Sequence, residues 1–194
     1  MRFSVFALAG AAALAAFGAH AAEYAIDPHH TYATFAIDHN GASINRGRFD
    51  QVSGTIEFDR EARTGKVDVK VDANAISAGS QQFNDHLRSP DLFNVAKFPE
   101  MRFVSEQFVF DESGKLVEVL GQMTLLGVTQ PLVLKASQFN CYENRMAKAE
   151  ACGGDFEATI DRTLWGMNYL AKEMGNAQVR IGVTIEAFKK QPAQ

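Results

Sequence analysis

The chain has 194 residues, 46% of them hydrophobic and 22% charged, which suits one domain with a sizeable core. Nineteen basic against 23 acidic side chains leave a formal charge of −4, and no Lys/Arg-rich run offers a nucleic acid an electrostatic footing. Fifteen Phe, with abundant Val, Ile and Leu, exclude a chain too polar to fold.

Arg2 is the only charge before Glu23, and the stretch from Phe3 to Phe17 is almost wholly apolar and rich in alanine. Ala19-His20-Ala21 then places small residues at −3 and −1, so residues 1–21 read as a secretory signal peptide. The apolar run falls short of the roughly 20 residues that span a bilayer, which disfavours a retained anchor helix. No Cys follows the small residues to carry a lipid. The expected mature protein is a single domain over residues 22–194. The alanine-rich signal looks bacterial and makes the periplasm the expected destination, with eukaryotic secretion the alternative.

From residue 24 onward the dominant period is two. Thr55-Ile56-Glu57-Phe58-Asp59 alternates, and Lys66-Val67-Asp68-Val69-Lys70-Val71-Asp72 puts three valines on one face and four charges on the other. Residues 80–99 break the pattern. Phe83 and Leu87 stand at helical spacing, Ser80 can cap a helix, and Ser89 before Pro90 can cap a second short turn. Alternation resumes at Leu116-Val117-Glu118-Val119-Leu120 and is cleanest at Val179, Ile181, Val183, Ile185 and Ala187. Turn signals lie at Asn40-Gly41, Thr64-Gly65, Ser113-Gly114, Gly153-Gly154 and Gly175-Asn176. The pattern predicts an all-β protein of about eight antiparallel strands, each with one dry face, and a short helical insertion around residues 80–95. Such strands must close into a barrel or pack as two sheets. Closure is favoured because it removes sheet edges.

Cys141 and Cys152 are the two cysteines, both in the exported part, and an even count in an oxidising compartment favours a disulfide. Closing this loop is worth about 3 kcal/mol in the chain-entropy treatment. A redox-active pair is the alternative, but no Cys-x-x-Cys spacing supports it, and neither cysteine has neighbouring ligands for zinc.

Several words of the sequence, in order, are similar to one family. Tyr24-Ala25-Ile26-Asp27-Pro28-His29-His30, Phe35-Ala36-Ile37-Asp38-His39 and Gly47-Arg48-Phe49 open it. Asp85-His86-Leu87-Arg88-Ser89, Leu92-Phe93-Asn94-Val95 and Phe98-Pro99 follow. Gly121-Gln122-Met123-Thr124-Leu125, Gly127-Val128-Thr129-Gln130-Pro131, Cys152-Gly153 and Ile160-Asp161-Arg162-Thr163 through Gly166 complete the set. Over residues 23–188 the chain resembles the YceI-like family of polyisoprenoid-binding proteins. His30-Thr31 and Leu164-Trp165 depart from the family's commoner His-Ser and Asp-Phe. The resemblance implies a lipocalin-like, eight-stranded barrel whose tunnel holds a lipid tail, an isoprenoid quinone, prenyl phosphate or similar amphiphile.

The expected walls of that tunnel are Phe35, Ile37 and Phe49, then Ile56 and Phe58, then Val67, Val69 and Val71, with Phe83, Leu87 and Phe93 from the insertion. The competing reading is that these residues fill a closed core, and alternation alone does not separate the two. Head-group candidates are His86, Arg88, Arg162 and Trp165, the last equally able to plug the barrel. No cofactor is expected. The expected partner is a long-chain isoprenoid or amphiphilic lipid, with transient membrane contact and a homodimer both open. The histidines His29, His30, His39 and His86 lack tight ligand spacing, so no metal is expected, although a metal-binding stress protein is one alternative. Another is an enzyme acting on a lipid-like substrate with His86 as acid/base, oriented by Asp85 or Asp27. It lacks a Gly-x-Ser-x-Gly nucleophile elbow, and Asp85 and Arg88 suit a surface ion pair three residues apart.

Overall fold

The alternation at Val67, Val69 and Val71 is realised in β5 (Thr64–Asp72), which turns the valines to the interior while Lys66, Asp68 and Lys70 form ion pairs on the outer face. The computed structural model describes residues 21–191; residues 1–20, which hold nearly all of the expected signal peptide, lie outside them. Before β5 come β1 (Ala22–Ile26), β2 (Tyr32–His39), β3 (Ser43–Phe49) and β4 (Val52–Asp59). After it come β6 (Ile76–Ser77), β7 (Glu100–Phe110), β8 (Leu116–Leu125), β9 (Val128–Asn144), β10 (Ala149–Asp161) and β11 (Gln178–Lys189).

These eleven segments make eight staves. β1 and β2 lie end to end along β11, through pairs such as Ile26↔Ala187 and Ala33↔Val183. β4 and β3 continue the next stave beside them, and β5 and β6 the third. β7, β8, β9, β10 and β11 then follow in antiparallel order and bring the sheet back to β1 and β2. The eight-stranded antiparallel barrel is therefore closed, not a sandwich. Among the described residues no helix is long and apolar enough to cross a membrane.

Antiparallel order puts four connections at one end of the barrel, here called the upper end: residues 40–42, 78–99, 126–127 and 162–177. The first is a tight turn with Asn40 and Gly41 at φ 57° and 68°. The second carries α1 (Gln81–Arg88), whose N-cap Ser80 accepts a hydrogen bond from Phe83 N; Leu87 is buried below it. Past Arg88 the chain forms turns, with the Ser89 hydroxyl accepting from Asp91 N at 3.3 Å.

Two expected turns are strand instead. Gly153 and Gly154 lie inside β10, and the turn falls at residues 145–148. A Cβ on Gly153 would stand 2.6 Å from Ile185 O, and one on Gly154 would stand 2.4 Å from Gln138 O. Glycine is there to let neighbouring backbones approach. Thr64-Gly65 likewise starts β5, after a turn at residues 60–63 in which Arg63 takes φ 55°. At the lower end Cys141 and Cys152 face each other on β9 and β10 and form the expected disulfide.

Candidate functional site

The upper half of the barrel encloses a cavity of about 570 Å³, within the usual range for a small-molecule site. Its walls come from inward positions of most staves. Phe35, Ile37 and Phe49 line it, as do Val69 and Val71, and the insertion contributes Phe83, Leu87 and Phe93. Val69, Val71, Phe93, Met101, Phe103, Ile181, Val183 and Ile185 are apolar and point inward, yet each keeps accessible surface. In a filled barrel they would be buried. This accessible surface marks a hollow interior.

The hollow does not run the length of the barrel. Ile56, Phe58 and Val67 line a separate lower chamber of about 90 Å³. Below and around it Phe58 packs against Tyr24, Phe108, Phe110 and Phe139, with ring centroids 5.4–6.4 Å apart. Tyr24 and Phe58 are buried, and the Tyr24 hydroxyl donates to Glu150 at 2.7 Å. The bore is thus a blind chamber entered from the upper end.

Sequence reasoning missed Met101 and Phe103 on β7, Met123 and Leu125 on β8, Leu132 and Leu134 on β9, and the loop residues Met167, Tyr169, Leu170 and Met174. The β7 residues alternate, but a register shift between Val104 and Gln107 interrupts the period that would have exposed the pattern. The alternation of β11 was legible, but Val179, Ile181, Val183 and Ile185, which all line the cavity, were not among the expected walls.

Polar side chains gather near the mouth: Asp38, His39, Asn45, His86, Tyr169 and Asn176. His86, in the last turn of α1, sets its ring edge-on to Tyr169 at 5.1 Å, with Nε2 3.5 Å from Asp91 Oδ2. The other head-group candidates are placed differently. Arg88 does not line the cavity; Nε and Nη2 donate to Asn74 O and Ile76 O at 3.1 and 2.9 Å, tying α1 to the wall. Arg162 lines the cavity but is 4% exposed. Its guanidinium donates to Asn176 O, Met167 O, Tyr169 O and Asn176 Oδ1 at 2.8–3.2 Å. Burial lowers its pKa from the ordinary value, and it acts as the peg around which residues 167–176 fold. Trp165 is 2% exposed, donates from Nε1 to Met123 O at 3.0 Å, and does not line the cavity. A short 3₁₀ turn, Arg162–Trp165, places both, because Gly166 at φ 84° ends it and reverses the chain.

Arg102 also touches the cavity, but Asp68 holds its guanidinium through Oδ1 and Oδ2, and that pairing keeps the Asp68 carboxyl below its ordinary pKa. His29, His30, His39 and His86 do not converge. Among the described residues, Asp27, His30 and Glu186 bring potential ligand atoms within 4.8 Å of one another at the break between β1 and β2. Asp27 already spends its oxygens there, Oδ2 on His30 Nδ1 and Oδ1 on His29 N.

The YceI-like domain of known proteins matches residues 24–187. The chain belongs to the YceI-like family. A relative of 39% identity over 191 residues, the UPF0312 protein Shewmr4_1178 of Shewanella sp. (strain MR-4), covers 95% of this chain and 96% of its own. A UPF0312 protein of Vibrio campbellii is 38% identical over 140 residues, 70% of this chain and 74% of its own. Among solved structures, Burkholderia cenocepacia BcnA superposes with a TM-score of 0.68 at 18% identity, over 84% of this chain and 99% of its own. A polyisoprenoid binding domain from Saccharophagus degradans does so with a TM-score of 0.65 at 14% identity, over 88% and 99%. At those identities the two structures establish that this YceI-like chain shares their fold.

Proposed function

We propose that this YceI-like protein is a periplasmic lipid carrier or store that keeps a long isoprenoid or similar amphiphile in its upper chamber. The observation that carries the reading is the blind cavity, whose inward aliphatic and aromatic side chains are left accessible to it. The description of the Saccharophagus degradans relative as polyisoprenoid binding supports the ligand class. The N-terminal apolar segment and the disulfide support export.

The work is noncovalent. Burial is worth about 0.8 kcal/mol per methylene, so a sixteen-carbon tail gains roughly 13 kcal/mol gross. Immobilisation offsets about 4–15 kcal/mol of that. Affinity therefore needs no charged contact. Of the two head-group classes, a neutral one such as a quinone fits the mouth better than a prenyl phosphate. Arg88, Arg102 and Arg162 are each occupied by the protein's own oxygens, while Asn45 and Tyr169 offer amide and hydroxyl hydrogen-bonding groups.

Native mass spectrometry on protein exported by its own signal and purified without detergent tests this directly. The expected spectrum shows an adduct of lipid mass whose extract contains a neutral isoprenoid head group. A phosphate-bearing lipid would overturn the head-group assignment. A protein that is ligand-free, and stays so after incubation with quinone-loaded vesicles, would overturn the reading itself.

A further inference from the structure

The two chambers share five lining residues: Val69, Phe103, Leu134, Val183 and Ile185. They come from β5, β7, β9 and β11 and so mark one level around the bore. Val69 and Phe103 are direct cross-strand partners. Phe103 is the only ring among the five, the others being branched aliphatics. On β8, between β7 and β9, Gly121 is two residues from Met123, the cross-strand partner of Phe103, and so faces inward with it. A Cβ on Gly121 would lie 2.6 Å from Phe103 Cζ and 2.7 Å from Cε2. The Phe103 ring therefore occupies the place that a β8 side chain would take.

We infer that Phe103, seated over Gly121, is the floor of the ligand chamber and sets the longest tail the protein accepts. The inference rests on the lipid-holding reading above and adds the residue that fixes its length selectivity. A tail entering from the mouth runs down the 570 Å³ chamber and meets the ring; the 90 Å³ chamber beneath is an annexe of the same apolar character. Removing the ring joins the two. Removing an aromatic side chain that lines only the annexe, such as Phe139, enlarges it without breaching the floor.

The test is a binding series with linear prenols and alkanols of increasing length against the wild-type protein, Phe103→Ala and Phe139→Ala. Affinity should rise about four-fold per added methylene until the tail reaches the floor, then level off or fall. Phe103→Ala should move that break to longer chains, and Phe139→Ala should leave it in place. An unchanged break in Phe103→Ala, or an equal shift in Phe139→Ala, would overturn the inference while leaving lipid binding intact. Should the wild type take up no chain at all, the carrier reading fails and the floor with it. If Phe103→Ala does not fold, Phe103→Leu, which keeps an apolar branch and removes the ring, carries the same comparison.

Discussion

The buried Asp27 carboxylate holds the exposed His30 imidazole at 2.7 Å across the gap between β1 and β2. The hydrogen bond to His30 is the main cause that lowers the Asp27 pKa, and the same bond raises that of His30. Asp27 contributes stability above its unfolded value of about 3.9 and loses it as pH falls through its lower folded value. His30 contributes fully below about 6.5 and loses its share as pH rises through its higher folded value. The pair is therefore worth most between about pH 4 and 6.5. An NMR titration should place His30 above 6.5, and Asp27→Asn should return it towards that figure. No movement in Asp27→Asn would mean that the pair does not govern the titration.

Arg162 should matter through the loop it pegs and not through a head group. Truncation to Ala strands the carbonyls of Met167, Tyr169 and Asn176, each worth about 1–3 kcal/mol when buried and unsatisfied. Arg162→Ala should lower the melting temperature and open residues 167–176 to limited proteolysis. Arg162→Lys should be nearly as damaging, since one ammonium cannot reproduce the forked contacts. A normal melting temperature with selective loss of anionic lipids would instead return Arg162 to the head-group role.

How far these residues were legible depended on whether one strand or several decided them. The valines of β5 and the alternating residues of β11 announced their face because each strand is regular and one-sided. The helix at residues 81–88 was readable from local spacing and its Ser80 cap, and the disulfide from the even cysteine count. Gly153-Gly154 was misleading because its glycines answer to neighbouring strands, and a sequence carries no mark of close backbone approach. Arg88, Arg162 and Trp165 have the chemistry of head-group contacts, but backbone carbonyls 12, 14 and 42 residues away, brought in by the fold, claim their donors. Whether the barrel is hollow was beyond alternation altogether, since filled and empty bores share one pattern.

Val69→Trp tests the hollow directly. Val69 lines both chambers and is not fully buried, so an indole has space to enter at the floor of the upper one. Circular dichroism should keep its β-sheet signature while lipid uptake falls at least ten-fold, equivalent to about 1.4 kcal/mol. Unfolding of this variant, with Phe103→Ala also unstable, would point to a barrel packed solid at that level.

The disulfide belongs to the end away from the mouth, between directly opposed positions of β9 and β10. Replacing both Cys141 and Cys152 by Ser should cost about 3 kcal/mol in denaturant titrations by the loop-entropy account. Lipid uptake at a temperature where the variant is folded should be unchanged. A loss of uptake without a loss of stability would give the bridge a part in binding.

Leu170 links the chamber to the outside. It lines the cavity, is 41% exposed, and follows Tyr169 on the connection between β10 and β11, which also carries the strongly exposed Leu164. Its φ of 49° is a left-handed conformation that costs a leucine more than an asparagine. Local backbone energetics therefore favour Leu170→Asn, and that variant should fold with unchanged or slightly raised stability. If the rim passes the tail to a bilayer, the same variant should slow transfer of a fluorescent prenol between protein and phosphatidylethanolamine vesicles, with equilibrium affinity little altered. Leu164→Asn, outside the cavity, should slow transfer as well. Transfer rates equal to wild type in both would remove the rim from the exchange step and leave the tail to leave through water.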